Sequence, residues 1–174
     1  MYDAFRKLAA VSLAALGVLA ATGGAAQAAH VSAWDQQWLK TSIEGDRFEI
    51  AGGLLAQQKG ASPTVRALGA RLVKDHTKSL KDASKVARRL GMSVPSKPTP
   101  SMQWELQIVG TLSGSQFDHW YSELEIEDHK QDISESSDEV KEGSNPQIRK
   151  LAVEDLPMLK EHLKLSMHAL SVSP

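Results

Sequence analysis

Acid and histidine side chains recur along this chain at Glu49, at Asp75 and His76, at Glu125 and His129, and at Glu161 and His162. Imidazole and carboxylate are ligands for divalent transition metals, and they also build buried hydrogen-bond networks that need no ion. Spacing separates these residues into classes. Glu125 and His129 are four apart, so on a helix they share a face. Asp75 and Glu161 immediately precede their histidines, about 100° round a helix, and do not easily point at the same ion as the ring beside them. A di-iron centre calls for Glu-x-x-His on two helices. Positions 73 and 159 are Val and Leu, so neither His76 nor His162 meets that requirement. These residues therefore predict a mononuclear site of Glu49, His76, His129 and His162, with Asp75 and Glu125 as secondary candidates, for iron, manganese, zinc or copper. The alternative is a structural network in which His76 and His162 hydrogen-bond to Glu49, Asp75 or a hydroxyl and fix helix register.

Either arrangement needs helices that face one another. The stretch from 62 to 91 is the best-specified helix. Ser62 caps it, Pro63 occupies the first turn, Val65, Leu68, Leu72, His76, Ala83 and Leu90 form one stripe, and Gly91 is the expected left-handed stop. A shorter version returns at 145 to 170. Asn145-Pro146, Ile148-Arg149 and Leu151 match Ser62-Pro63, Val65-Arg66 and Leu68, and Lys160-Glu161-His162 resembles Lys74-Asp75-His76. An earlier helix starts at the Ser32 cap and runs to Lys59 with Trp34, Trp38, Leu39, Ile43, Phe48, Ile50, Leu54 and Leu55 on its apolar face. Its Gly45, Gly52 and Gly53 imply close packing. Another runs from Ser115 to Gly143, inner side Phe117, Tyr121, Leu124, Ile126, Ile133 and Val140, with a polar C-terminal half expected to fray. Among Pro95, Pro98 and Pro100 lies a linker with a short helix from Ser101 to Leu112. No segment alternates as a strand would.

The prediction is all-α: a four-helix bundle with a short extra helix in the long connection between helices two and three. A piece of about 24 residues, half helical and half extended, reaches roughly 55 Å, enough to travel the whole bundle. That length allows the crossover of ferritin-like folds, while an up-down-up-down bundle with a decorated loop stays open. At 1.5 Å per residue, Glu49 and His76 stand about 18 and 22 Å from the first turn, and His129 and His162 about 22 and 27 Å from the second. All four fall near mid-height in either topology.

Composition bounds the rest. The chain has 174 residues, 41% apolar and 24% charged, enough for one globular domain. Arg6 and Lys7, the apolar run Leu8 to Ala21, and Ala26-Gln27-Ala28 read as a cleaved signal peptide over 1–28, followed by a flexible N-terminus at 29–33, the bundle at 34–170 and a tail at 171–174. The apolar run is too short to span a bilayer well. Without Arg6, Lys7 and Asp3 the mature chain keeps 18 basic and 20 acidic side chains of the 20 and 21, a balance that argues against a nucleic-acid or anionic-membrane surface. Cysteine is absent, which excludes disulfides, thiolate metal sites and a lipid-modified cysteine. His119, His168 and His30 read as exposed. Pro157 bends the last helix and frees the Val153 carbonyl, either to wrap the core or to shape a pocket beside His162. Trp34, Trp38, Trp104 and Trp120 read as core or end caps, with a ligand groove as the alternative.

The chain resembles the exported bundles called domain of unknown function 4142, often labelled "predicted outer membrane protein". Glu49 carries the resemblance, with Ser62-Pro63-x-Val65-Arg66 leading to Lys74-Asp75-His76, Gly114-x-x-Phe117-Asp118-x-x-Tyr121, His129, and Leu156-Pro157-x-Leu159-x-x-His162-Leu163. It implies a bacterial envelope protein of ferritin-like fold, periplasmic or secreted, with Glu49, Asp75, His76, His129 and His162 as the residues to test and no catalytic assignment. Storage or sensing of a metal fits such a chain better than turnover. A structural or protein-interaction module of the envelope, without metal, is the competing reading, and a di-iron oxidase is the weakest. The sequence assigns no oligomeric state.

Overall fold

The computed structural model describes residues 30–173; the signal peptide predicted over 1–28 lies outside the described residues. Five helices follow one another: α1 Ala33–Lys59, α2 Pro63–Arg89, α3 Pro100–Gly110, α4 Gly114–Glu142 and α5 Pro146–Ser171. No strand occurs among the described residues, only an isolated parallel bridge between Gly60 and Gly114. The fold is a ferritin-like four-helix bundle, with α3 as the extra helix in the long connection.

Local chemistry sets the helix limits. Ser32 and Asp35 form a reciprocal capping box at the start of α1, and partly buried Val31 already packs on the core. Ser62 and Asn145 accept hydrogen bonds from the first amides of α2 and α5, each with proline in the first turn. Gly91 ends α2 with φ at 72°, a conformation that costs glycine nothing.

Helix α1 pairs with α2 and α4 with α5 as antiparallel hairpins. The bridge from Gly60 to Gly114 puts the α1–α2 turn beside the start of α4, whereas the α4–α5 turn meets the start of α1. Residues 91–113 therefore run the full length of the bundle. This is the long crossover, and it makes α2 and α4 parallel. Arg47 ties it to α1 by donating from Nε to the Pro95 carbonyl at 2.8 Å.

Two buried aspartates make the hairpins reciprocal. Asp118 of α4 accepts from the amides of Ala61 and Ser62 at 2.9 and 2.6 Å, and Asp35 of α1 accepts from those of Ser144 and Asn145 at 2.8 and 3.0 Å. The same shift of 83 residues relates Asp35 to Asp118 and Ser62 to Asn145, as it does Gly60-x-Ser62-Pro63 to Gly143-x-Asn145-Pro146 and Val65-Arg66 to Ile148-Arg149. The bundle thus has an approximate internal two-fold. Burial alone would raise the Asp35 carboxyl, but hydrogen bonds from Ser144, Ser32 and Asn145 outweigh it and hold the group well below the ordinary carboxylate range. An acid depressed by folding stabilises above its unfolded value, near 3.8, and that contribution fades as pH falls below it. Asp35→Ala should cost on the order of 2–3 kcal/mol at neutral pH, and the gap to wild type should shrink in acid, as read from denaturant midpoints.

The core is apolar at both ends and polar between. Trp38, Leu39, Ile43, Ala83, Ala87, Ile148 and Leu151 fill one end, and Ala56, Val65, Leu68, Leu72, Phe117, Tyr121 and Ala169 the other. Two expectations need correction. The polar half of α4 does not fray: the helix runs unbroken to Glu142, with Ser136 and Glu139 buried. Its polarity comes from side chains that face inward. Of the tryptophans only Trp38 is core; Trp34, Trp104 and Trp120 are exposed, and the last two line an open apolar groove of about 340 Å³. Pro157 lies inside α5 on an exposed face, where a proline can sit in a helix that wraps the core.

Candidate metal centre

Between the apolar ends, α2 contributes His76, α4 His129 and α5 His162, all buried. Their ring centroids lie 5.2–5.8 Å apart. One ring nitrogen from each falls within 4.8 Å of the other two. The expected neighbourhood of the three histidines therefore forms.

What makes the cluster suited to an ion is the far side of each ring, whose acceptors assign the protons. His129 Nδ1 donates to the Glu125 carbonyl at 2.7 Å, one turn earlier on α4. His162 Nε2 donates to Asp75 Oδ2 at 3.0 Å, across from α5 to α2. His76 Nδ1 hydrogen-bonds Asp46 Oδ1 of α1 at 2.9 Å, and burial pushes the Asp46 carboxyl well above its ordinary range, so the proton of this bond is shared between ring and acid. His129 then keeps Nε2 and His162 keeps Nδ1 unprotonated, and His76 offers Nε2 whenever the shared proton sits on its Nδ1. His129 Nε2 and His162 Nδ1 face each other at 3.3 Å with no proton left for the space between them. Two nitrogens about 2.0 Å from one tetrahedral ion are separated by roughly that distance. The buried His76 Nε2 forms no hydrogen bond.

Electrostatics favour the same protonation states. Burial lowers His76 to about 4, His129 to about 3 and His162 to about 4, and the neighbouring rings depress His129 and His162 further. Neutral imidazole is the ligand form. Asp75 is pushed up by burial, but hydrogen bonds from Arg71 and His162 bring it below its ordinary value, so it stays an ionised acceptor. Acceptors behind the ligands in this way fix ring orientation and raise basicity in metal sites.

The predicted carboxylates take other places. Asp75 orients His162 rather than joining the ion. Glu49 and Glu125 form a second group with His129. They approach its Nδ1, at 3.8 and 3.7 Å, the nitrogen already committed to the Glu125 carbonyl. They stand behind the ring instead of completing a set with the three histidines. Glu161 belongs to neither group. His76 and His162 are also not equivalent under the internal two-fold. Their triplets are 86 residues apart, three more than the hairpin shift, which takes His76 to Leu159 and His162 back to Ser79.

Burial pushes Glu49 well above the ordinary range, with Glu125 and Asp128 adding to it. Burial likewise lifts Glu125 to about 8, although the proximity of Glu49 and Tyr121 opposes the shift. A raised carboxyl holds a proton that the unfolded chain has released, so stability falls as pH climbs from the unfolded value of 4.5 towards 8. Glu125→Gln should flatten that fall in the metal-free protein and leave it more stable than wild type near pH 8, by on the order of 1–3 kcal/mol, measured by denaturant titration.

Asp46, Asp128 and Asp132 are the residues that sequence inspection passed over. A signal for them existed: Asp46 and Glu49 are three apart on α1, and Glu125, Asp128, His129 and Asp132 recur at helical spacing on α4. A polar stripe on the face that also carries Phe117 and Tyr121 must line an interior.

The family model for the domain of unknown function DUF4142 matches residues 20–168. This chain belongs to the DUF4142 family. No curated protein matches it in sequence. Solved structures of similar fold include a DUF305 fragment from Deinococcus radiodurans, with a TM-score of 0.72 at 13% identity over 81% of this chain and 97% of the fragment. CopM in its Cu(I)-bound form has a TM-score of 0.65 at 18% identity, covering 77% of this chain and 93% of CopM. The Cu(II)-bound form has a TM-score of 0.67 at 16% identity, covering 79% and 95%. At such identities the likeness concerns the fold. Among the described residues of this DUF4142 protein, no helix is long and apolar enough to cross a membrane.

Proposed function

We propose that this DUF4142 protein is an exported bundle that holds one transition-metal ion on His76, His129 and His162, with copper the first candidate. The carrying observation is the convergence of one ring nitrogen from each of three buried histidines, each ring anchored on its far side by a carboxyl group or carbonyl. Imidazole suits zinc, copper, iron and nickel, and copper(II) binds most tightly among the divalent ions. The copper-bound state of a protein of similar fold supports the same choice. Export follows from the leader-like segment at 1–28, and the periplasm is the compartment that fits. Three buried neutral ligands favour holding an ion over turning a substrate over, so storage, buffering or sensing is the role.

The competing envelope module without metal would use the histidines as a closed hydrogen-bond network. A closed network would place a proton between His129 and His162, where both nitrogens carry lone pairs. The test is elemental analysis of untagged mature protein, then titration of the stripped protein with copper, zinc, iron and manganese. One equivalent of bound metal with a raised unfolding midpoint supports the reading. No stoichiometric metal and no shift with any of the four would overturn it.

A further inference from the structure

The internal two-fold carries the histidine centre onto a second place in the bundle. Shifting by 83 residues takes His129 to Asp46, His162 to Ser79, Glu49 to Asp132, Glu125 to Ser42 and His76 to Leu159. All five of those counterparts line one cavity of about 20 Å³, where Asp155, Glu135 and His76 itself join them. The symmetry thus preserves the chamber and puts oxygen where His129 and His162 offered nitrogen, with Leu159 in the place of the third ring.

We propose that this cavity is a second cation site, built for a hard, oxygen-liganded divalent ion such as calcium, magnesium or manganese and bordering the histidine centre at His76. Its volume suits one ion or one water. The donors are carboxylates and hydroxyls, the set that calcium, magnesium and manganese select and that copper does not require. Asp46 is only 4% exposed and lines the cavity. Its Oδ1 is taken by His76, while the buried Oδ2 forms no hydrogen bond; burial raises this carboxyl well above its ordinary range, opposed by nearby Ser79 and Arg47.

No lysine or arginine lines the cavity. Nearby Lys78 pairs with Asp82, and Arg47 reaches outward to the crossover at Pro95. Asp132 is raised by burial and then by Asp128, Glu135 and Asp46, and Asp155 is lifted to about 7 by burial and Asp46 against the pull of Lys78.

The proposal goes beyond the histidine reading and is tested separately, on the full mature protein stripped of metal, with manganese(II) followed by electron paramagnetic resonance and calcium as competitor. Wild type should take up one manganese displaced by calcium. Asp132→Asn and Asp155→Asn should each weaken it by about tenfold or more, as fewer ligand charges do in oxygen sites. His162→Ala, which leaves the cavity lining intact, should bind manganese as wild type does. The same Asn variants should lose the calcium-dependent rise in unfolding temperature seen in wild type. Three outcomes would each overturn the proposal: no manganese uptake by wild type, uptake indifferent to both Asn changes, or uptake lost in His162→Ala. None of them bears on copper binding, which the separate metal titration reads.

Discussion

His129→Ala is expected to abolish stoichiometric metal binding while leaving a folded bundle. His129 is fully buried, is anchored through Nδ1, and presents Nε2 to His162 at 3.3 Å, so its loss removes one of the three converging nitrogens. Wild type at a metal concentration about 100 times its Kd should gain about 2.7 kcal/mol, and the variant should gain none. Asp75→Asn, which keeps all three ligands but weakens the anchor of His162, should lower affinity by roughly 10- to 100-fold. This graded pair separates the two readings. A purely structural network predicts a stability loss on the order of 1–3 kcal/mol for His129→Ala and no metal-dependent difference. Retention of wild-type metal stoichiometry in His129→Ala would remove the histidine centre from consideration.

Gly69→Ala should be among the most damaging single-methyl changes in the protein. Its new Cβ would lie 2.6 Å from the Gly53 carbonyl oxygen and 2.7 Å from Ala56 Cβ, and a Cβ on Gly53 would lie 2.6 Å from the Gly69 carbonyl oxygen. Both obstacles include backbone, so α1 and α2 must move apart along a seam that also sets the height of Asp46 against His76. A cost of about 3 kcal/mol or more is expected, lowering the thermal midpoint by roughly 10 °C. Gly45→Ala on the same α1 face makes the control, since a Cβ there meets nothing within 4 Å. It should be neutral or stabilise by up to about 1 kcal/mol through helix propensity. Equal effects of the two substitutions in thermal unfolding would show that the α1–α2 contact is not the tight seam described.

These cases divide what is local from what is not. The sequence alone determined the helices, because their signals are contained within a few residues: the Ser32 capping box, Ser62-Pro63 and Asn145-Pro146, the Gly91 stop, and stripes at helical spacing. It also placed His76, His129 and His162 near one height, since rise per residue converts counting into distance. Only the tertiary structure decided between the two topologies, because a connection long enough to cross the bundle is also long enough to loop back. Only it paired His162 with Asp75, 87 residues away, and His76 with Asp46, 30 residues away. It also put Glu49 behind His129 and turned Ser136 and Glu139 of the polar half of α4 inward. Helical periodicity states which residues share a face of one helix. The rotation and axial offset of one helix against another come from packing, here the Gly53–Gly69 contact and the reciprocal Asp35 and Asp118 caps, and those offsets choose which acid meets which histidine.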